Sequence, residues 1–408
     1  MYFWNWFAAS FMPLVGSRLG SGKYLLGAVG IFAGSCSVAQ LAAAQAVHPV
    51  TQAMYDSAAM QAARPPLVVG AYAQGSFILK HTAAVNHLAA SHPTGFELNV
   101  QRQTTGAAAW HGWYKYPKAG LALVYYDYHN PALGQSYAAT VYLSKSFLRT
   151  QRQDLSFRLG TGLAWFTSPF DLQTNRKNVI VSSSLNATLQ LRLEYDYALT
   201  PHLGLLLGVA LNHYSNGATT KPNFGINLPS VVLGLNYHQQ RPASTLPYLA
   251  PAPADVKTNF LLVSTSLGYK QRELGIYEKY LVNSLTIAAG RRVNRKSNLL
   301  VGLEGFYDRS LLAAQKDTAR NQAQLVDVKK AGIFLGHELL FGRLAFVSHL
   351  GFYVYNPYKS NGFYYERLGL RYQFTNVVFG AVDLKIHRGT ADVIEFKVGA
   401  KLARRPTI

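Results

Sequence analysis

From residue 67 to the C-terminus the chain alternates apolar and polar residues with a period of two, the spacing at which successive side chains point to opposite faces of a β-strand. Over 187–197 the odd positions are Ala187, Leu189, Leu191, Leu193, Tyr195 and Tyr197, and the even ones are Thr188, Gln190, Arg192, Glu194 and Asp196. One face is wholly apolar and the other wholly polar. Over 154–165, Leu155, Phe157, Leu159, Leu163 and Trp165 oppose Asp154, Ser156, Arg158, Gly160 and Gly162 in the same way. The alternation predicts strands near 67–79, 94–104, 119–128, 136–147, 153–166, 181–198, 202–214, 227–240, 258–270, 279–290, 297–308, 328–340, 343–355, 363–375, 377–387 and 391–403. That is about 14–16 strands, the first two having the weakest pattern. A soluble sandwich also alternates, but it does not repeat the pattern in nearly every strand with aromatics at the strand ends. The repetition predicts an all-β fold, a transmembrane antiparallel β-barrel of outer-membrane type, apolar outward and polar inward.

Connections should then alternate short and long. Thr200-Pro201, Phe341-Gly342 and Thr375-Asn376 read as tight periplasmic turns, and 167–180, 215–226 and 309–327 as longer outer loops. The stretch 241–254, with Pro242, Pro247, Pro251 and Pro253, falls on the short-turn side yet is too long for a turn; the alternative is a linker between two barrel halves.

The N-terminus reads as a targeting segment. Residues 1–23 contain Arg18 and Lys23 and no acid, an uncharged apolar run follows from Tyr24, and Leu41-Ala-Ala-Ala44-Gln45-Ala46 supplies a small-residue cleavage signal. A signal peptide over 1–46 is predicted, with Met12 an alternative start, and residues 47–408 form the barrel. The single cysteine, Cys36, lies in the apolar run, so the mature chain needs no disulfide.

Composition sharpens this picture. Only 14% of the 408 residues are charged, against 49% hydrophobic and 13% aromatic, where a soluble chain carries roughly a quarter charged. After residue 46 no stretch approaches the roughly eighteen apolar residues of a membrane helix, so a helical membrane protein is excluded. The mature chain keeps 37 of the 39 Lys and Arg against 19 acids. An exported chain does not meet nucleic acid, and lipid phosphates are the partner this charge fits. No P-loop, dinucleotide fingerprint, G-x-S-x-G elbow or Cys/His metal set is present, and no cofactor is expected.

Residues 211–237 carry the candidate chemistry. His213 and Ser215 are two apart on a strand and so share a face, where an imidazole can take a hydroxyl proton. The odd positions of that strand are Leu203, Leu205, Leu207, Val209 and Leu211, so the pair continues a lipid-facing row, where polar groups are costly. Asn227 shares its parity with Pro229, Val231, Leu233 and Leu235 and faces lipid on the next strand. Near the C-terminus His387, Asp392 and Glu395 make a tempting acid cluster, but parity turns Asp383, Lys385, His387, Glu395 and Lys397 inward, with Glu304 and Asp308, as a salt-bridge lattice across the wall from Ser215.

His213-Tyr-Ser215-Asn216, then Lys221-Pro222-Asn223, Gly225 and the Leu233-Gly234-Leu235 strand resemble the PagL-type lipid A 3-O-deacylases, or acyloxyacyl hydrolases. Gly95-Phe-Glu-Leu98 and Tyr353-Val-Tyr-Asn-Pro-Tyr358 resemble the longer members of that family. The resemblance implies an outer-membrane barrel in the cell outer membrane whose substrate is the ester-linked acyl chain of lipid A in lipopolysaccharide. It implies Ser215 as nucleophile, His213 as general base, and Asn223 and Asn216 as oxyanion donors. The family's glutamate fourteen residues after the His is Asn227 here, and an amide orients a histidine without stabilising an imidazolium by charge. Leu207, Val209 and Leu211 would bind the fatty chain and Lys221 a lipid phosphate. Two alternatives stand beside this reading: a catalytically silent barrel, channel or structural, and an esterase acting on glycerophospholipids.

Overall fold

The computed structural model describes residues 66–105, 108–241, 258–275, 277–318 and 325–403. The predicted signal peptide, Cys36 and most of the Pro-rich stretch lie outside them. Among the described residues sixteen strands are present. The first eight are β1 (Leu67–Ser76), β2 (Thr94–Gln103), β3 (Lys118–Asp127), β4 (Gln135–Arg149), β5 (Gln153–Phe166), β6 (Leu185–Ala198), β7 (Leu203–Ser215) and β8 (Ile226–His238). The second eight are β9 (Asn259–Gln271), β10 (Lys279–Asn294), β11 (Ser297–Asp308), β12 (Lys330–Phe341), β13 (Leu344–Tyr355), β14 (Tyr364–Gln373), β15 (Val378–His387) and β16 (Thr390–Ala403). Among the described residues a 3₁₀ turn over Ala83–Leu88 follows β1, and two short α-helices join the strands, α1 (Ala109–Trp113) between β2 and β3 and α2 (Arg309–Thr318) after β11.

The strands do not close into one large barrel. β1 pairs with β8, in a register running from Val68↔His238 to Ser76↔Ser230, and β9 pairs with β16, so the chain forms two closed antiparallel barrels of eight strands. This corrects the expectation of a single barrel and favours the linker reading of the connection after β8. Closure after eight strands removes both sheet edges with interiors just wide enough for side chains to fill.

Both interiors are filled. In the first, Glu97 accepts from Arg158 Nη1 at 2.8 Å, from Arg192, and from Gln74 Nε2 at 2.8 Å. Above this network Val85, Leu88, Ile180, Tyr214 and Leu228 pack into an apolar plug. In the second, Arg367 meets Glu395 at 2.5 Å and Glu304 at 3.3 Å, Lys397 meets Asp383 at 2.6 Å, and Lys270 meets Asp308 and Asp392 at 2.6 Å each. Glu304, Asp308, Asp383, Glu395 and Lys397 are residues that parity turned inward; Arg367, Lys270 and Asp392 join them. Each buried carboxylate is held by cations, and truncating one partner of such a pair costs about 3–5 kcal/mol.

The outer walls are apolar, with Leu207, Leu233, Leu285, Leu335 and Phe396 exposed. Tyr125, Tyr137 and Trp165 cluster at the rim that bears the long loops, Tyr137 pairing with Trp165 in register. Tyr195, Tyr197 and Tyr237 mark the rim of short turns. Aromatic girdles flanking an apolar band are the signature of strands crossing a bilayer.

The barrels touch at both rims. At the short-turn rim Tyr114 Oη donates to Leu340 O at 3.0 Å, and its ring stacks on Phe341 at 4.6 Å. At the other rim the β7–β8 loop rests on the second barrel. Gln271 N donates to Ala218 O at 3.3 Å, Lys221 N to Gln271 Oε1 at 2.8 Å, and Lys221 Nζ to Arg272 O at 2.7 Å.

Candidate active site

The alternation that builds β7 also places the candidate residues. Its even positions Leu206, Ala210, Asn212 and Tyr214 are buried in the first barrel, and its odd ones face outward, Leu207 and Val209 exposed, Leu211, His213 and Ser215 half-buried. His213 pairs with Leu189 of β6 and Asn227 of β8, and Ser215 with Ala187. His213 Nδ1 and Asn227 Oδ1 are 2.7 Å apart. An amide oxygen only accepts, so His213 Nδ1 carries the proton and Nε2 is the basic nitrogen of the ring.

The loop after β7 shapes the surroundings of Ser215. Its Oγ accepts from Asn223 Nδ2 at 2.8 Å and from Gly217 N at 3.2 Å. Gly217 has φ +61, a left-handed conformation open to glycine, and a Cβ there would collide with Ile394 of the second barrel. Gly225 closes the loop with φ +72, and a Cβ there would lie 2.9 Å from His213 Cε1. Two glycines thus let the chain turn back close beside the serine and the imidazole.

The structure brings His213 to Asn227 and Ser215 to Asn223, with His213 and Ser215 two apart on the outward row of β7. It engages the other two candidates elsewhere. Asn216 is buried, and its Nδ2 donates to Ser182 Oγ and Ser183 Oγ at 3.0 Å each and to Thr220 O at 3.1 Å, so its side chain ties down the loop and is not presented to Ser215. The Lys221 ammonium, expected at a lipid phosphate, is half-buried against Arg272 O. Burial, and secondarily the nearby Lys270 charge, holds its pKa below the ordinary lysine value.

Two features escaped the sequence reading. His81, beyond the end of β1, reaches the site from the opposite side: its Nδ1 lies 3.4 Å from Asn227 Nδ2 and its Nε2 2.9 Å from Phe224 O. Its parity with the outward Phe77 and Leu79 was the available signal. On the second barrel, His337 Nε2 lies 3.1 Å from Ser297 Oγ, also on the outward row.

The family model described as "Lipid A 3-O-deacylase (PagL)" matches residues 94–236, from β2 to β8, and so contains every residue of the site except His81. The model described as "Acyloxyacyl hydrolase, C-terminal domain" matches 259–404, the whole second barrel. The chain belongs to the PagL acyloxyacyl hydrolase family. Among solved structures, the outer-membrane enzyme PagL is 17% identical, with a TM-score of 0.29, covering 40% of this chain and 97% of that one. Neisserial surface protein A is 17% identical, with a TM-score of 0.27, covering 43% of this chain and 97% of that one. A mutant porin of Rh. blastica is 11% identical, with a TM-score of 0.18, covering 83% of this chain and 100% of that one. No curated protein matches the sequence.

Proposed function

We propose that this PagL-family chain is an outer-membrane serine esterase that removes an ester-linked acyl chain from lipid A. The observation that carries this reading is the hydrogen bond from His213 Nδ1–H to Asn227 Oδ1 on the outward wall, on the row that also holds Ser215. It sets the tautomer that a general base requires.

In the proposed reaction Ser215 Oγ attacks the ester carbonyl carbon while its proton passes to His213 Nε2. The carbonyl oxygen takes up negative charge and receives hydrogen bonds from Asn223 Nδ2 and Gly217 N, the two donors that hold the resting hydroxyl. The ester C–O bond breaks, the sugar hydroxyl leaves with the proton from His213, and the acyl group stays on Ser215. Water, deprotonated by His213, then releases the fatty acid and restores the serine. The exposed Leu207 and Val209, with Leu211 above them, form an apolar strip leading to the serine, along which the fatty chain lies. With the long loops extracellular, the site stands at the depth of the outer leaflet, where lipid A resides.

Asn227 contributes orientation without charge, so the imidazolium is stabilised less than it would be beside a carboxylate. A slower enzyme than one with a carboxylate at this position is expected. The test is mass spectrometry of lipid A incubated with the purified, detergent-folded protein beside Ser215→Ala. Loss of one acyl mass with the parent protein alone supports the proposal; lipid A unchanged by both overturns it and leaves the silent barrel. Hydrolysis of a glycerophospholipid in place of lipid A would select the phospholipase alternative.

A further inference from the structure

An amide beside a catalytic histidine has a weakness that a carboxylate lacks. A carboxylate offers an acceptor oxygen whichever way it turns. An asparagine offers an oxygen in one orientation and an NH2 in the other, and in the second it donates to Nδ1, drives the proton to Nε2, and leaves no lone pair to take the serine proton. The wrong tautomer costs about 10⁴-fold in a serine protease whose aspartate is replaced by asparagine. With Asn227 in this position, some other group has to choose the orientation.

His81 stands where that choice is made. Its Nε2 lies 2.9 Å from Phe224 O, which only accepts, so the proton of the neutral ring sits on Nε2 and the lone pair on Nδ1. That lone pair faces Asn227 Nδ2 at 3.4 Å, while Asn227 Oδ1 faces His213 Nδ1 at 2.7 Å on the other side. Leu79 O lies 3.2 Å from the same Nδ1 and would accept from it if the proton sat there; the shorter contact to Phe224 O, at 2.9 Å, decides for Nε2. The chain of donors therefore runs one way, from the Asn227 amide into His81 and from His213 into Asn227. Turning the amide over would break both of its contacts at once, setting NH2 against the N–H of His213 and oxygen against the lone pair of His81.

His81 reaches this position because β1 closes the first barrel against β8. Beyond the last strand pair, Phe77 N donates to Pro229 O at 3.3 Å and Leu79 N to Asn227 O at 3.0 Å, which carries the chain to residue 81 alongside Asn227. In a single sixteen-stranded barrel β8 would pair with β9, and this neighbour would be absent.

We propose that His81 is a positioning residue that fixes the orientation of the Asn227 amide and thereby the base tautomer of His213, replacing by geometry the orientation, though not the charge, that the missing carboxylate would supply. This rests on the proposed esterase reading, and the experiment separates the two. Four proteins are compared for acyl release from lipid A: the parent, His81→Phe, Asn227→Asp and the double variant. An aspartate at 227 accepts in either orientation and needs no partner to choose. His81→Phe is expected to lower activity more than about 10-fold in the parent background and less than about 2-fold beside Asn227→Asp. The same His81→Phe penalty in both backgrounds, or none in the parent, overturns the inference. Nitrogen-15 NMR of the labelled histidines reads the tautomer directly and needs no turnover: His213 protonated on Nδ1 in the parent, shifting toward Nε2 in His81→Phe and returning in the double variant. An unchanged tautomer in folded His81→Phe also overturns it. Absence of acyl release from all four proteins with the expected tautomer shift would leave the inference standing and sink the esterase reading alone.

Discussion

Each barrel carries a histidine and a serine on its lipid-facing wall, and the two pairs differ in what surrounds them. His337 Nε2 lies 3.1 Å from Ser297 Oγ near the short-turn rim of the second barrel, yet among the described residues no side-chain amide or carboxylate meets its Nδ1 and no donor other than that ring meets Ser297 Oγ. On the first barrel His213 has Asn227 at 2.7 Å, Ser215 has Asn223 and Gly217 N, and His81 backs the amide. A histidine beside a serine on a membrane wall is therefore no site in itself. What marks one is a third group that sets the tautomer and donors aimed where charge develops.

The sharpest way to break this contrast is to remove each serine in turn. Ser215→Ala should abolish acyl release, a fall of about 10³-fold or more by comparison with other serine hydrolases, measured by mass spectrometry of the lipid. Asn223→Ala should come next, at about 10²-fold in rate, the usual effect of losing one oxyanion donor; an unaltered rate would show that Gly217 N and the backbone suffice. A smaller effect is expected at the contact between barrels. Gln271→Ala removes the acceptor for Lys221 N, loosens the loop that presents Asn223, and should slow turnover several-fold with the thermal unfolding midpoint nearly unchanged. Smallest of all, Ser297→Ala should leave acyl release unaltered; any loss there would mean that the second barrel takes part in the chemistry.

Much of this was legible in the chain. Parity alone assigned His213, Ser215 and Asn227 to the outer face and Asp383, Glu395 and Lys397 to the interior, because the period of two is imposed locally by the backbone and the bilayer punishes a residue on the wrong face. The split into two barrels was not legible that way. Which strands close on each other depends on pairings such as Val68 with His238, whose partners are far apart in sequence and carry no local signal. Only the Pro-rich stretch at 241–254 pointed to it. Asn216 and Lys221 were placed at the site by the motif that carries the family resemblance, and the folded loop uses both for its own anchorage. His81 was missed for the converse reason: it lies on the outward row, but 146 positions from its partner Asn227.

The closing seam between β1 and β8 has a bearing on when the protein can act. His213 and Asn227 sit on adjacent strands of one hairpin and come together as soon as it forms, whereas His81 arrives only with the longest-range pairing of the first barrel. A chain delivered to the membrane but not yet zipped shut holds Ser215 and His213 without the residue proposed to align the base. On the proposed reading, hydrolysis would reach its full rate only with completion of the cylinder.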